Sequence, residues 1–548
     1  MKLKALGLTA VAVATAALVA ACGGGGGGGD VAATQSDVQL SGVAATGLAL
    51  ASAPVDVKCA SGTGTATTNE SGAYTVTVAN GALPCIVKVT GTAADGTTVT
   101  LHSLAEGTGT TATANVTPLT ELILARATGA VPSALYENFT SGTVTVPALT
   151  QATTDVLAAM GGAAGIDLSG VDPFKGSLVA ATTTNPDAGN AYDKLLDQLG
   201  AVVTPAMLPQ VVSQVAQTGT GSGAAVTLDQ VVANVQAGAL ADCPQALSGK
   251  YGVLDYDGAY DQIDLNFGTL KVNGELTIVP STTQKCEFSV NDTGNNVLST
   301  VVFGPSGVGV VRDSRILAYI FPVQSTSLAS VVDRKWEFLE SGIDGGVADH
   351  WVGEMAVDAG GNVAVCDYSN LESGTCVPAT ETVSFSQSGT TLLLNYDGTT
   401  SPIYGYRAPD GSLTLFGYNH TSDGLRSSFV LTRPQSLQAQ SVGEVARYWS
   451  AVQRFDPARE SLPEPQDALF TTFAPGSLTV TAATADSVTR TFADGSTDTW
   501  LLNQPIPGLR KRATPLTYQR VLPGLGITVG ISGGSAHTYS VSVGRPAE

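Results

Sequence analysis

From Cys243 to the end of the chain, apolar and polar residues alternate with a period of two. The alternation is interrupted by Asp257-Gly258, Asp344-Gly345, Asp397-Gly398, Asp410-Gly411, Asp423-Gly424 and Asp494-Gly495. Successive side chains of a strand point to opposite faces, so this pattern predicts half-buried strands and excludes a helical bundle for that half of the chain. Asp-Gly supplies the positive φ angles that tight hairpin turns need, and the expected result is a β-meander. Three passages open alike, "LSGKYGVLDYDG" at Leu247, "DRKWEFLESG" at Asp333 and "VARYWSAVQRF" at Val445, each with an aromatic in an alternating strand. Each is followed by room for about six to eight strands, which predicts lipocalin-like barrels or sandwiches. Two such modules are expected over 243–440 and a third over 441–548. The alternative is a single β-propeller, but its repeat of roughly 40 to 50 residues is not visible.

Upstream, residues 38–112 also alternate, as in "SGAYTVTVANG" and "CIVKVTG", whereas residues 113–242 change period. Thr117-Pro118 is a helix start, Leu119, Leu122, Ile123 and Ala127 mark one face, and Gly129 is a stop. Tyr192, Leu195, Leu196 and Leu199 form a second stripe. Thr204-Pro205 opens a third, with Leu208, Val211, Val212 and Val215 inside, and Thr227 with Gln230 fits a capping box. Four or five short helices are expected. The fold class is therefore multidomain and mainly β, with an N-terminal β-sandwich, a small helical domain and C-terminal β-meanders.

The passage from Ser41 to Gly91 resembles the carboxypeptidase regulatory-like domain. The likeness rests on Gly42-Val43 opening a strand, Ala53-Pro54-Val55 entering the next, Thr67-Thr68, and Gly72-Ala73-Tyr74 before an alternating strand. It implies a small prealbumin-type sandwich with the aromatic packed between its sheets, acting as a spacer or binding module without catalysis of its own. The first residues, MKLKALGLTAVAVATAAL, place Lys2 and Lys4 before an apolar run too short for a membrane span of roughly 20 residues and suited to a secretory signal. Val19-Ala20-Ala21-Cys22 resembles the lipobox of bacterial lipoproteins. The resemblance implies cleavage after residue 21, acylation of Cys22 as a lipid anchor, and export to the outer membrane, since Gly23 follows the cysteine. Each buried CH₂ of an acyl chain contributes ~0.8 kcal/mol to anchoring. Gly23 to Gly29 then reads as a flexible tether within 22–37.

The net charge of −20 becomes −22 once a leader carrying Lys2 and Lys4 is removed. An acidic surface without a basic patch excludes nucleic acid as a partner. Arg510-Lys511-Arg512 follows Pro507-Gly508 and reads as a solvated turn. Apart from Cys22 there are six cysteines, with no C-x-x-C pair and four histidines in the whole chain, so no zinc site or other cofactor is expected. Domain boundaries favour the disulfides Cys59–Cys85, Cys243–Cys286 and Cys366–Cys376 among fifteen possible pairings.

Three motifs carry chemistry in principle. "GISGG" fits G-x-S-x-G around Ser532, with His537 nearby, but the following residues alternate as another strand where a nucleophile elbow needs a helix. Asp255, Asp257, Asp261 and Asp264 offer oxygen ligands without the glycine and glutamate register of a calcium loop, so solvated hairpin carboxylates are the simpler reading. Trp336, Trp351, Trp449, Trp500, Tyr404 and Tyr406 form either a sugar-stacking platform or core. The expected function is a lipid-anchored, non-enzymatic envelope protein that binds a polysaccharide or an envelope protein. The alternative is an envelope hydrolase whose active-site residues only the fold brings together.

Overall fold

The computed structural model describes residues 36–218, 226–255, 258–292, 297–312, 317–344, 347–368, 376–378, 381–420, 425–454, 469–470, 474–532 and 538–545. Cys22 and the glycine run lie outside the described residues. At the N-terminal end, Val38–Val43 lies between Ala73–Val78, antiparallel, and Thr111–Thr113, parallel. A second sheet runs Thr63–Thr67, Pro54–Ser61, Ala82–Thr92, Thr98–Ala105. Alternate residues Leu40, Val76 and Val78 of one sheet meet Val55, Val57, Val87 and Val89 of the other in a shared core, which makes a β-sandwich. Tyr74 is buried there and its hydroxyl donates to the Ala114 carbonyl. Cys59 and Cys85 are cross-strand partners and are disulfide-bonded.

Six helices follow among the described residues: α1 (Pro118–Thr128), α2 (Pro132–Glu137), α3 (Val146–Ala164), α4 (Ala191–Gly200), α5 (Leu208–Ala216) and α6 (Leu228–Ala237). α1 starts where its residues demand. Thr117 caps the Thr120 N–H, the Thr120 side chain caps Thr117 in return, and Gly129 ends the helix at φ 65°. Such a cap contributes about 1 kcal/mol. Three features depart from the sequence reading. α2 is a short helix that no apolar stripe marks. α3 is an additional helix of 19 residues, rich in Ala and Thr, whose small side chains leave only a faint stripe. α5 starts at Leu208 rather than at Thr204-Pro205, because Pro209 lacks an N–H and its ring would strike the carbonyl four residues back. Pro209 is tolerated only in a first turn.

α1 packs on the strand Thr98–Ala105, where the Glu121 carboxylate accepts the His102 backbone N–H and lies 2.9 Å from His102 Nδ1. Sandwich and helices share one hydrophobic core that runs on to Leu247, so residues 38–247 are layers over a common interior rather than two independent units. A hairpin of Ala239–Leu240 and Cys243–Leu247 leads out of it. Cys243 is disulfide-bonded to Cys286, at the edge of the next unit.

The alternating half folds into three antiparallel barrels, not blades of a propeller. The first is a closed barrel of eight strands between Gly249 and Pro322. In the second, Val347–Val357 pairs with both Arg334–Asp344 and Asn362–Asp367, and Asn362–Asp367 passes the pairing on to Val383–Ser388. Eight strands ending at Arg426–Thr432 thereby close, and the two-residue strand Val377–Pro378 stands outside the ring. In the third, Val445–Arg454 pairs with both Ala474–Ala483 and Thr538–Gly544, closing eight strands in the same way. Hairpins join neighbours at Asp397-Gly398, Asp410-Gly411 and Asp494-Gly495, whereas Asp257, Gly345 and Asp423-Gly424 lie outside the described residues. Tyr396 and Thr399 pair across a two-residue turn in which Asp397 has φ 43° and Gly398 φ 81°. The outer faces of the barrels meet in a common core: Phe416 of the second stacks on Phe321 of the first, and Tyr319 of the first touches Tyr539 of the third, hydroxyl to hydroxyl.

Candidate binding cavity

The interiors of the three barrels differ in chemistry. Tyr251, Phe288 and Phe303 fill the first with aromatic contacts. The second is incompletely filled. A cavity of about 200 Å³ lies toward the end that carries the Asp397-Gly398 turn. Its apolar wall is Phe338, Trp351, Met355, Leu394 and Phe429, and its polar groups are Glu340, Asp367, Glu381, Tyr396 and Asn419.

Register explains how these side chains converge. Cross-strand partners share a face, and Glu340 is paired with Trp351 on one side and Phe429 on the other. Phe338, two residues earlier on the same face, is opposite Gly353, where a Cβ would come within 2.3 Å of its ring. Gly417 has the same relation to Phe429, at 2.3 Å. Two glycines in the barrel wall thus let two aromatic rings pack directly against it and line a hollow that larger residues would close. Trp336, Leu415 and Leu431 pack beneath.

Glu340 is the chemical centre of the cavity. Its Oε1 accepts from Asn419 Nδ2 at 2.9 Å and from the Ser427 hydroxyl. Burial raises its pKa above the ordinary carboxylate value. The two hydrogen bonds oppose that shift and the neighbouring Asp367 charge adds to it. A carboxylate so placed gains from a positive or hydrogen-bond-donating group that reaches it. Exposed Glu381 stands at the rim, so the acidic character continues to solvent. The arrangement is suited to hold a molecule with an apolar body against the aromatic wall and a donor head at Glu340.

The other residues singled out in the sequence lie elsewhere. Ser532 ends the strand Ile527–Ser532, with its hydroxyl 3.4 Å from both Thr517 Oγ1 and the Leu516 carbonyl; its backbone carbonyl, not its hydroxyl, faces His350 Nε2 at 3.2 Å. His537 lies outside the described residues, as does Asp257. Asp261 and Asp264 face Val253 and Lys250 across a hairpin, and no group of three or more His, Cys, Asp or Glu suited to a metal occurs among the described residues. Trp336, Trp449 and Trp500 are buried, Tyr406 is buried, and Tyr404 stacks on Tyr260 at 3.7 Å between barrels. Only Trp351 of the tryptophans lines the cavity. Cys366 and Cys376 are disulfide-bonded beside Asp367. Arg510-Lys511-Arg512 is not a turn: it lies within the strand Leu509–Ala513 of the third barrel, because Gly508 takes the turn just before it. No sequence signal marks Glu340: an alternating "WEFLE" sets two glutamates three apart on opposite faces without saying which face is inside. No family model matches the chain, and no curated protein matches it either.

Proposed function

We propose that this chain is a lipid-anchored protein of the bacterial outer membrane, held by Cys22, that binds rather than catalyses, and that its second barrel is the ligand compartment. The leader, the Val19-Ala20-Ala21-Cys22 junction and the glycine tether support the anchor. The Ser41–Gly91 passage, read as a carboxypeptidase regulatory-like module, serves as a spacer between tether and barrels. The observation that carries the binding role is the cavity of about 200 Å³ with aromatic walls and Glu340 at its polar end. The ligand class that fits is a small amphipathic molecule with an apolar body and an amine or other donor head, either free or displayed on an envelope polysaccharide or protein.

Titration of the full chain with alkyl amines and with fatty acids of equal length, followed by tryptophan fluorescence, tests the reading. The expected result is saturable binding of the amines, weak binding of the acids, and loss of affinity by about tenfold or more in Glu340→Gln, as when a charge-assisted hydrogen bond is removed. Equal binding of both series, or no effect of Glu340→Gln, would remove the cavity from the account. For the anchor, Cys22→Ser should leave the detergent phase on partitioning; unchanged partitioning refutes it.

A further inference from the structure

The interior of the third barrel is polar and positively charged. Its outer face is settled by packing: Trp449, Leu509, Val529 and Val541 lie in the core shared with the other two barrels. The opposite face therefore points inward. It carries Val480, Val488, Trp500 and Leu502, which form a separate small cluster. Arg490, Arg510 and Arg512 share that inward face. Arg490 is paired with Asp498 and Val480, Arg510 with Leu502 and Gln519, and Arg512 lies two residues beyond Arg510 on the same strand.

These guanidiniums are not balanced. Arg490 holds Asp498 in a two-pronged ion pair, Nε–Oδ1 2.9 Å and Nη2–Oδ2 2.7 Å. Arg512 reaches the same carboxylate only at 3.8 Å. Arg510 has no carboxylate at ion-pairing distance among the described residues, so Asp498 is the one carboxylate in direct reach of the group there, with Glu444 acting on Arg510 from farther away. Burial, reinforced by Arg490, lowers the Arg510 pKa to about 10, against the pull of Asp498 and Glu444, so Arg510 remains charged at neutral pH. The Arg490 and Arg512 guanidinium carbons lie 4.9 and 5.2 Å from the Trp500 ring centroid. Arg510 Nε, Arg512 Nε and the indole N–H of Trp500, itself 1% exposed, are buried donors without a hydrogen-bond partner among the described residues. Among the described residues, three unused donors and the arginine charges share the inward face of two neighbouring strands, and unpaired buried charge is costly unless something answers it. Access exists, because the Arg512 side chain is 30% exposed near the end of the barrel that carries the 514–515 turn.

We infer that the interior of the third barrel is an oxyanion-binding site, in which Arg510 and Arg512 clasp a phosphate- or carboxylate-bearing ligand beside Trp500. Planar guanidinium forks match both groups, and Trp500 gives a wall against which a ligand body or the arginines themselves stack. This site is separate from the cavity of the second barrel and of opposite charge preference.

The test is titration of the full chain with inorganic phosphate, with acetate and with chloride at constant ionic strength, read by calorimetry and by tryptophan fluorescence. Saturable binding of phosphate or acetate but not chloride is expected, and the two arms distinguish a tetrahedral from a carboxylate ligand. Arg510→Gln should weaken it by about tenfold or more, and Trp500→Phe should remove the fluorescence change while heat is still released. Arg510→Gln should also raise the melting temperature in oxyanion-free buffer yet abolish the further rise that the bound anion produces, a crossover that a merely structural arginine would not give. If Arg510→Gln does not fold, Arg512→Gln takes its place. The inference is overturned by a chloride response equal to that of the oxyanions, by unchanged affinity in the arginine variants, or by no saturable binding of either oxyanion.

Discussion

Glu340 and Glu337 are three residues apart on one strand, and the geometry of a strand sends them to opposite sides of the barrel wall. Glu337 goes outward into the interface and pairs with Arg520 of the third barrel at 2.5 Å, with both side chains almost completely buried. Glu340 goes inward to the cavity, where no cation lies at ion-pairing distance among the described residues. The pH dependence of Glu340 follows from its raised pKa. In the unfolded chain it releases its proton near 4.5, and in the folded barrel only at higher pH. Below 4.5 both states are protonated and the group is neutral with respect to stability. As pH rises above that value the unfolded state ionises first, so folding stability falls until the folded pKa is passed. Glu340→Gln, whose Oε1 still accepts from Asn419 and Ser427, should therefore be more stable than wild type at pH 7, with the gap closing as pH falls toward 4.5. Denaturant midpoints measured across that range check it; a gap independent of pH would show that the carboxylate is already answered. The alternation that separates the two glutamates is legible in the sequence. Their destinations are not, since both faces of this strand are buried.

At the scale of the element, the hairpin chemistry was readable because it is local. Asp397-Gly398 takes the two positive φ angles that a tight turn between right-twisted strands needs, and those angles depend on neighbours in the chain alone. The glycines of the second barrel's wall are different. Nothing adjacent to Gly353 or Gly417 explains them; their reason lies across the sheet, in the rings of Phe338 and Phe429. Gly417→Ala places a methyl 2.3 Å from Phe429 and 2.5 Å from Ile403, so the ring must swing into the cavity. Overpacking of this kind costs about 1–3 kcal/mol. The expected outcome is a modest loss of stability together with loss of amine binding, and crystallographic or fluorescence detection of a ligand in Gly417→Ala with wild-type affinity would contradict it. Pro209 shows the converse at the helical end: a local steric rule moved the start of α5 by one turn, and that rule was present in the sequence all along.

For the whole molecule, the outer faces of the barrels matter as much as their interiors. Phe416, fully buried, stacks on Phe321 at 5.2 Å and 9° and meets Tyr319 at 4.8 Å, while Tyr319 touches Tyr539 and Glu337 holds Arg520. Residues from all three barrels form one continuous core, so they should melt together rather than one by one. Phe416→Ala, which empties the centre of that core, should cost about 3–5 kcal/mol and move the single calorimetric transition as a whole. Separate transitions, of which only one shifts, would show that the barrels are energetically independent.

The sequence by itself determined what depends on near neighbours: strand or helix period, the turn at Asp397-Gly398, the caps at Thr117 and Thr227, and the mainly β, multidomain class. The places of the six cysteines beyond Cys22 along those domains favour the pairs that the three disulfides join. Tertiary structure alone decided which face of each strand is inside. That choice turns Glu340 into the floor of a cavity, Glu337 into an inter-barrel ion pair and Arg510 into an interior charge with no ion-pairing carboxylate among the described residues, rather than part of a solvated turn. The physical reason is that a period of two distinguishes the faces of a strand without naming them. In a molecule where barrels pack against barrels both faces are buried, and only closure of the sheets and their mutual packing tell inside from outside.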